Sequence, residues 1–276
     1  MLKLGYLGPE GTFSHEAAEI ASATRYKLVP FRPISSVLEA FRNCEVQRAI
    51  VPLENLIEGE VSQTVDHLIS NGNSQNLQIT GELLLAIRQT LVAKPGTRLE
   101  DIKRITSHIQ GLGQCRRFLS QYNWEEIEVA STAQAAKMVA ESSDKDLAAI
   151  ASGKAAELYH LEVISSDIGD SIKNITRFII LGGPAPRPTG EDRTTIFFVT
   201  RNQTGALFQA LGVFFYQGIN LTKITSRTAK TEMGEYVFWI DADGHRDDPA
   251  IRIAIKQLQE RFTQKIWVAG SYPKAK

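Results

Sequence analysis

The sequence predicts an α/β protein in two parts. A larger part covers residues 1–182, a linker 183–193, and a small α+β part 194–276. Three observations predict this. Short apolar, strand-like runs alternate with helix-like runs through the first part, the pattern of a sheet covered by helices. The stretch Gly182–Gly190 holds three prolines and three glycines in nine residues, and neither helix nor strand should cross it. Beyond it the order of runs becomes βαββαβ, the split ferredoxin-like unit, which usually serves as a binding or regulatory module.

In the first part, Leu2–Leu7 is apolar and strand-like, and Ser14–Ser22 is Ala/Glu-rich and helix-like. Ala49–Pro52 is a short strand. Val61–Ser70 is a helix that places Val61, Val65, Leu68 and Ile69 on one face. Leu83–Ala93 supplies one or two strands. Strand–helix pairs follow at Ile102–Thr106 and Gly113–Gln121, at Glu128–Ala130 and Thr132–Glu141, and at Ala148–Ile150 and Gly153–Tyr159. Phe178–Leu181 is the last strand, with Arg177 leading into it. In the second part, Thr194–Thr200 is a strand, and Ala206–Tyr216 is a helix with Leu207, Ala210, Leu211 and Phe214 at helical spacing. Gly218 fits its C-terminal stop. Leu221–Arg227 and Tyr236–Asp241 are strands, Pro249–Phe262 is a helix with proline in its first turn, and Lys265–Ala269 closes the unit.

Composition narrows the function. Lys+Arg and Asp+Glu both count 31, so the formal charge is zero, which argues against a nucleic-acid partner or a polybasic membrane binder. Hydrophobic content of 43% and charged content of 22% fit a globular chain rather than a disordered one. Cys44 and Cys115 form no CxxC pair, so a redox motif or zinc knuckle is excluded. The N-terminus does not read as a signal peptide, no apolar run is long enough to span a bilayer, and a cytoplasmic location is expected.

A repeated junction carries the chemistry. Gly8-Pro9-Glu10-Gly11-Thr12-Phe13-Ser14, Ser107-His108 and Ser131-Thr132 each follow a strand and open a helix. Each offers hydroxyls and free backbone N–H groups at a helix N-terminus, where anions are favoured by about 0.3–1 kcal/mol when exposed. Ligands of open α/β sheets bind at that edge. One such junction is ordinary helix capping; three in one chain point to a cradle for a small polyanion. Glu54-Asn55 also follows a strand, though a surface turn is an equally good reading. The glycines match neither a P-loop nor GxGxxG, and no His, Asp or Glu cluster has metal spacing, so neither metal nor cofactor is expected.

Taken together, GPEGTFSHEAA (8–18), VPLENLIEGEV (51–61), SHIQGLGQC (107–115), STAQAA (131–136), AAIAS (148–152) and NITRFIIL (174–181) resemble the prephenate dehydratase family over nearly the whole chain. The C-terminal unit resembles the ACT regulatory domain. The resemblance implies a two-lobed catalytic domain like periplasmic binding proteins, with a second lobe over about 78–152. It implies loss of water and carbon dioxide from prephenate to give phenylpyruvate, in a monofunctional enzyme with no fused chorismate mutase helix domain. Thr176 would help the ring hydroxyl leave, Arg177 would hold a substrate carboxylate and Phe178 would orient the pair. The substrate-binding set would be Thr12, Ser14, Glu54, Asn55, Ser107, His108, Gln110, Ser131, Thr132 and Asn174.

The resemblance also implies an effector, L-phenylalanine, bound by Gly205, Ala206, Leu207, Phe208, Ser226 and Arg227 where two ACT domains meet in a homodimer or homotetramer. The chain departs from the family at Leu56 (usually Ser), at Ile109 (usually Pro) and at Thr225-Ser226-Arg227-Thr228 (usually Glu-Ser-Arg-Pro). Two other readings stay open: arogenate dehydratase, and a non-catalytic small-anion sensor with an amino-acid-binding module.

Overall fold

A computed structural model describes residues 1–71, 77–229 and 235–275. From the N-terminus the chain runs β1 (Lys3–Leu7), α1 (Phe13–Ser22), β2 (Lys27–Phe31), α2 (Ile34–Arg42), β3 (Arg48–Asn55), β4 (Gly59–Glu60), α3 (Ser62–Asn71) and β5 (Ile79–Ala86). It then crosses into β6 (Thr90–Ala93), β7 (Arg104–Ser107), α4 (Ile109–Gly113), α5 (Arg116–Leu119), β8 (Glu125–Glu128), α6 (Thr132–Glu141), β9 (Leu147–Ala151), α7 (Gly153–Leu158) and β10 (Glu162–Ser165). It returns through β11 (Ile175–Leu181). The C-terminal module is β12 (Asp192–Thr200), α8 (Ala206–Tyr216), β13 (Leu221–Thr228), β14 (Tyr236–Asp243), α9 (Pro249–Gln257), a π turn at Leu258–Phe262, and β15 (Thr263–Pro273).

These strands form two sheets, hence two lobes. The smaller sheet has the order β10-β6-β9-β7-β8. It spans 90–165, so the second lobe begins and ends later than the expected 78–152. The reason is pairing: β5 lies antiparallel to β11 in the first sheet, and β10 pairs with β6 in the second. The chain passes between lobes at 87–89 and again at 166–174.

The larger sheet runs β13-β14-β12-β15-β5-β11-β3-β1-β2, with β4 paired to β3. It therefore crosses the expected domain boundary. Inside the C-terminal module the order β13-β14-β12-β15 is antiparallel throughout, as the βαββαβ reading requires. β15 then meets β5 in parallel, at Gly270↔Ile79. A Cβ at residue 270 would sit 2.2 Å from the Ile79 carbonyl oxygen, so only glycine allows this approach. One face of the module's sheet packs on α8 and α9 through Ile196, Phe198, Phe214 and Ile251. The other face adds Phe197, Trp239 and Tyr272 to the core of the first lobe, beside Val51, Leu53 and Ile179. The helix-free face is thus buried against the first lobe rather than solvated.

Helices α6 and α8 have the bounds that their apolar spacing predicts. Several strands differ, for physical reasons. β2 escapes a sequence reading because Pro30 interrupts it; the strand is at the sheet's edge, where a missing N–H costs nothing. α2 buries Ile34, Val37, Leu38 and Phe41 at helical spacing and follows directly. The expected helix at Gly113–Gln121 is two short helices, with buried Cys115 at their junction. The expected strand Glu128–Ala130 lies at 125–128, an edge strand whose glutamates face outward. β11 starts at Ile175, three residues before the apolar run, and this shift decides the sidedness of the site.

Candidate active site

The site is built on two neighbouring strands. β3 and β11 run antiparallel, with Thr176 opposite Asn55 and Arg177 opposite Glu54. Side chains alternate along a strand, so the two members of each register pair share a face and the next pair takes the other. Thr176, Phe178 and Asn55 face a cleft of ≈ 870 Å³ between the lobes. Glu54 and Arg177 face the C-terminal module.

Asn55 sets the orientation of Thr176. Its Oδ1 accepts from the backbone N–H groups of Ile57 and Glu58, both at 2.9 Å, in a turn that the strand end creates. This leaves Nδ2 to donate to Asn174 Oδ1 at 2.7 Å and to Thr176 Oγ1 at 2.9 Å. Thr176 Oγ1 is therefore an acceptor within the protein, and its own proton is available to a ligand. Asn174 in turn donates to Gln114 Oε1 at 2.9 Å, Gln89 donates to the same oxygen at 3.0 Å, and Gln114 donates to Glu58 at 3.0 Å. This amide network reaches from the first lobe into the second. Asn174 itself lines a side pocket that adjoins the cleft.

The helix-opening junctions meet around the cleft. Thr12 Oγ1 caps α1 by accepting from His15 N–H and donates to the Pro9 carbonyl at 2.9 Å. Ser14, Gln110 and Thr132 line the wall. Ser131 Oγ caps α6 by accepting from Gln134 N–H at 3.1 Å. His108 Nδ1 accepts from Gln110 N–H, so the neutral ring carries its proton on Nε2.

Arg32 is the residue that sequence reasoning missed. It stands just past the C-terminal end of β2, where Nε donates to the Gly8 carbonyl at 2.8 Å and Nη2 to Ser131 Oγ at 2.8 Å. It spans the cleft from one lobe to the other and has further N–H donors to offer. Its signal was its place at the carboxyl edge of the sheet, hidden because Pro30 obscured the strand.

Three expectations need correction. Arg177 is not available to a substrate carboxylate. Its side chain is buried, with Nε 2.7 Å from Glu82, Nη1 2.9 Å from Glu54 and 2.6 Å from Asp241, and Nη2 2.8 Å from the Tyr272 hydroxyl. Burial opposes its charge, but the Tyr272 oxygen and the Asp241 and Glu82 carboxylates outweigh that and hold its pKa above the ordinary arginine value. Glu54 is likewise turned away from the cleft, toward Arg177 and Lys223. Ser107 is fully buried and donates to the Ile150 carbonyl at 2.8 Å; it braces the second sheet instead of meeting a ligand.

In the C-terminal module Gly205 takes φ +77° directly before α8, a conformation that favours glycine. Ala206 is buried and Phe208 is 81% exposed. Ser226 is exposed on β13. Arg227 does not point to free solvent: it reaches Glu60 at 2.8 Å, and Ser62, so it helps dock the module.

The fold and site define a two-lobed α/β protein with a polar-lined cleft between its lobes and a ferredoxin-like module fused through its sheet. The sequence profile of the prephenate dehydratase family matches residues 4–185, and that of the ACT domain matches 194–260. The bifunctional chorismate mutase/prephenate dehydratase of Aquifex aeolicus is 38% identical over 280 residues, covering 99% of this chain and 74% of that one. The solved prephenate dehydratase of Arthrobacter aurescens in complex with L-Phe is 35% identical, with TM-score 0.89, over 99% of this chain and 90% of that one. A structure described as GqqA, a novel type of quorum quenching acylase, is 28% identical, with TM-score 0.87, over 98% and 96%. The chain belongs to the prephenate dehydratase family.

Proposed function

We propose that this protein converts prephenate to phenylpyruvate, water and carbon dioxide, and that L-phenylalanine regulates it through the ACT domain. The observation that carries the reading is the Thr176 hydroxyl, held in the interlobe cleft with its oxygen accepting from Asn55 and its proton free. In the reaction the ring carboxylate leaves as carbon dioxide and its bonding pair enters the ring. The opposite C–O bond breaks, and the departing hydroxide takes a proton from solvent to become water. Thr176 donates a hydrogen bond that strengthens as negative charge grows on that oxygen. A threonine hydroxyl is too weak an acid to transfer its proton fully beforehand. The Asn55 N–H polarises it and fixes its direction, a preorganised donor of the kind that supplies much of catalysis.

Arg32 takes the carboxylate role first expected of Arg177. The N-termini of α1 and α6, with Thr12 and Ser131, add partial positive charge for the second carboxylate. Phe178 packs beside Thr176. An amide-hydrolysing acylase needs an activated nucleophile, but among the described residues the hydroxyls of Thr12, Ser131 and Thr176 bond to backbone groups, Arg32 and Asn55 rather than to a histidine ring or a lysine amine. Dehydration is the chemistry this cleft favours.

Phenylalanine control is supported by the match to the ACT domain and by the relative solved with L-Phe. Exposed Phe208, Phe215 and Tyr216 on α8 support self-association of the module, in a dimer or tetramer. Among the described residues no helix is long and apolar enough to cross a membrane, and both cysteines are free, which suits a reducing cytoplasm.

The test is turnover of prephenate by purified protein in the presence of a chelator, with and without L-phenylalanine. Formation of phenylpyruvate, altered by millimolar-scale L-phenylalanine, is the expected result. Tight binding of prephenate without product overturns the reading in favour of a sensor, and a higher kcat/KM on arogenate reassigns the substrate.

A further inference from the structure

Behind the catalytic strands lies a buried ion cluster that the reaction itself does not use. Glu54 and Arg177 are the chain neighbours of Asn55 and Thr176, and their side chains leave the same two strands on the opposite face. There they meet the C-terminal module. Arg177 pairs with Asp241 at 2.6 Å and with the Tyr272 hydroxyl at 2.8 Å, while Lys223 pairs with Glu54. The cluster is anchored further: Asp241 Oδ1 accepts from Thr195 at 2.7 Å and from the Trp239 indole at 3.0 Å. Asp241 and Glu82 are almost wholly buried.

We propose that Glu54 and Arg177 are positioning residues, which fix the Asn55–Thr176 donor pair from behind and transmit to it the placement of the C-terminal module through Asp241, Tyr272 and Lys223. This rests on the dehydratase reading above.

The geometry supports transmission in three ways. One peptide unit separates each cleft residue from its cluster neighbour, and burial of the Arg177 side chain limits how far its own rotamers can absorb a shift of the guanidinium before the Thr176 backbone turns. The β11–β3 register slips between Arg177 and Phe178, where β3 carries the extra residue Leu53, so the ladder is interrupted beside Glu54 while β11 keeps its register with β5, and the Glu54 side-chain anchors help to hold the β3 end. Lys223 lies on β13, the free edge of the larger sheet, two residues from the Thr225–Thr228 segment, and Arg227 of the same strand holds Glu60 at 2.8 Å. An event that moves β13 therefore pulls on Glu54 and Glu60 together. Buried ion networks add little net stability over apolar packing, and their best-attested use is to fix register and orientation.

The experiment is steady-state kinetics of full-length Lys223→Gln, Tyr272→Phe and Asp241→Asn, each alone and combined with Thr176→Ala. The expected result is a fall in kcat of about tenfold with KM changed less than about twofold, and recovery in Lys223→Arg. Combined with Thr176→Ala, the same substitutions should lower the residual rate by less than about twofold, because the group they act through is gone. Cluster substitutions that leave kcat unchanged, or whose effects multiply fully with Thr176→Ala, overturn the proposal. If Asp241→Asn does not fold, the milder Lys223→Gln and Tyr272→Phe decide the matter. Undiminished turnover in Thr176→Ala alone sinks the dehydratase role of Thr176 instead, so the two failures are told apart.

Discussion

Replacing Thr176 by valine exchanges one hydroxyl for one methyl in a side chain only 8% exposed, so shape is kept and donation is lost. Asn55 Nδ2 keeps its 2.7 Å acceptor on Asn174 but loses the one at 2.9 Å on Thr176. Asn55 is half-buried and Nδ2 also has the Ile175 carbonyl at 3.3 Å, so the loss is at most the about 1–3 kcal/mol of an unpartnered buried N–H. At about 2–4 °C per kcal/mol for a chain approaching this size, the melting temperature should fall by no more than about 12 °C. The protein should still be folded at 25 °C. Donation to a leaving group is worth about 10²–10⁴-fold in rate, or roughly 3–6 kcal/mol at about 1.4 kcal/mol per decade. Valine should therefore lower kcat by at least about a hundredfold while KM moves little, and serine should retain most of the rate. Initial rates of phenylpyruvate formation, read beside a thermal melt, separate chemistry from folding. A valine variant with more than about a tenth of the wild-type kcat, or a serine variant as impaired as valine, refutes the hydroxyl-donor argument.

Other expectations follow from the same geometry. Arg32→Gln should raise KM for prephenate by about 10–100-fold, since a charge-assisted hydrogen bond is worth about 1.5–3 kcal/mol; an unchanged KM removes Arg32 from carboxylate binding. Gly270→Ala should lower the melting temperature by several degrees or split the melt, because its Cβ meets a backbone carbonyl at 2.2 Å and overpacking costs about 1–3 kcal/mol or more; an unaltered single transition contradicts the strand junction.

Acid should weaken the fold in two stages. Burial holds the His15 pKa below its ordinary 6.5, and its Nδ1 accepts from Gly11 N–H at 3.0 Å, which protonation forbids. The unfolded chain then binds the extra proton more readily, so this stability is full above about pH 6.5 and is lost as pH falls through the folded value. Burial pushes the Glu60 carboxyl up, but Arg227 and Thr225 hydrogen bonds and the Lys223 charge overcome it and hold its pKa below 4.5. That second contribution is present above pH 4.5 and fades on acidification beyond it. Urea melts at stepped pH should show both slopes; burial also holds the His67 pKa below 6.5, so His15→Gln should make the first slope shallower rather than abolish it, and a first slope unchanged in that variant disproves the assignment.

Part of the site is legible in residue order. The hydroxyl-bearing junctions at Thr12 and Ser131 do cap helices at the cleft, and the match of α6 and α8 to their expected bounds reflects apolar spacing that needs no partner to be read. Arg177 illustrates the limit. The apolar run begins at Phe178, so the polar Thr176 and Arg177 look like the approach to a strand and their sides are undetermined. Once the strand begins at Ile175, period-two alternation places threonine in the cleft and arginine behind it. Arg32 was missed for a related reason: an edge strand tolerates Pro30, so the apolar pattern that would have marked the strand's end is broken.

Sequence alone determined the family, the helix-opening junctions and most of the elements in their order, though not β2 or α2, because helix spacing, capping chemistry and motif order are local. Only the tertiary structure decided which face each charged residue takes and what covers it. The C-terminal module's sheet joins the catalytic one at Gly270 and Ile79, residues far apart in the chain. That junction buries Arg177 among carboxylates from both modules, because a buried guanidinium must find partners wherever the packing brings them.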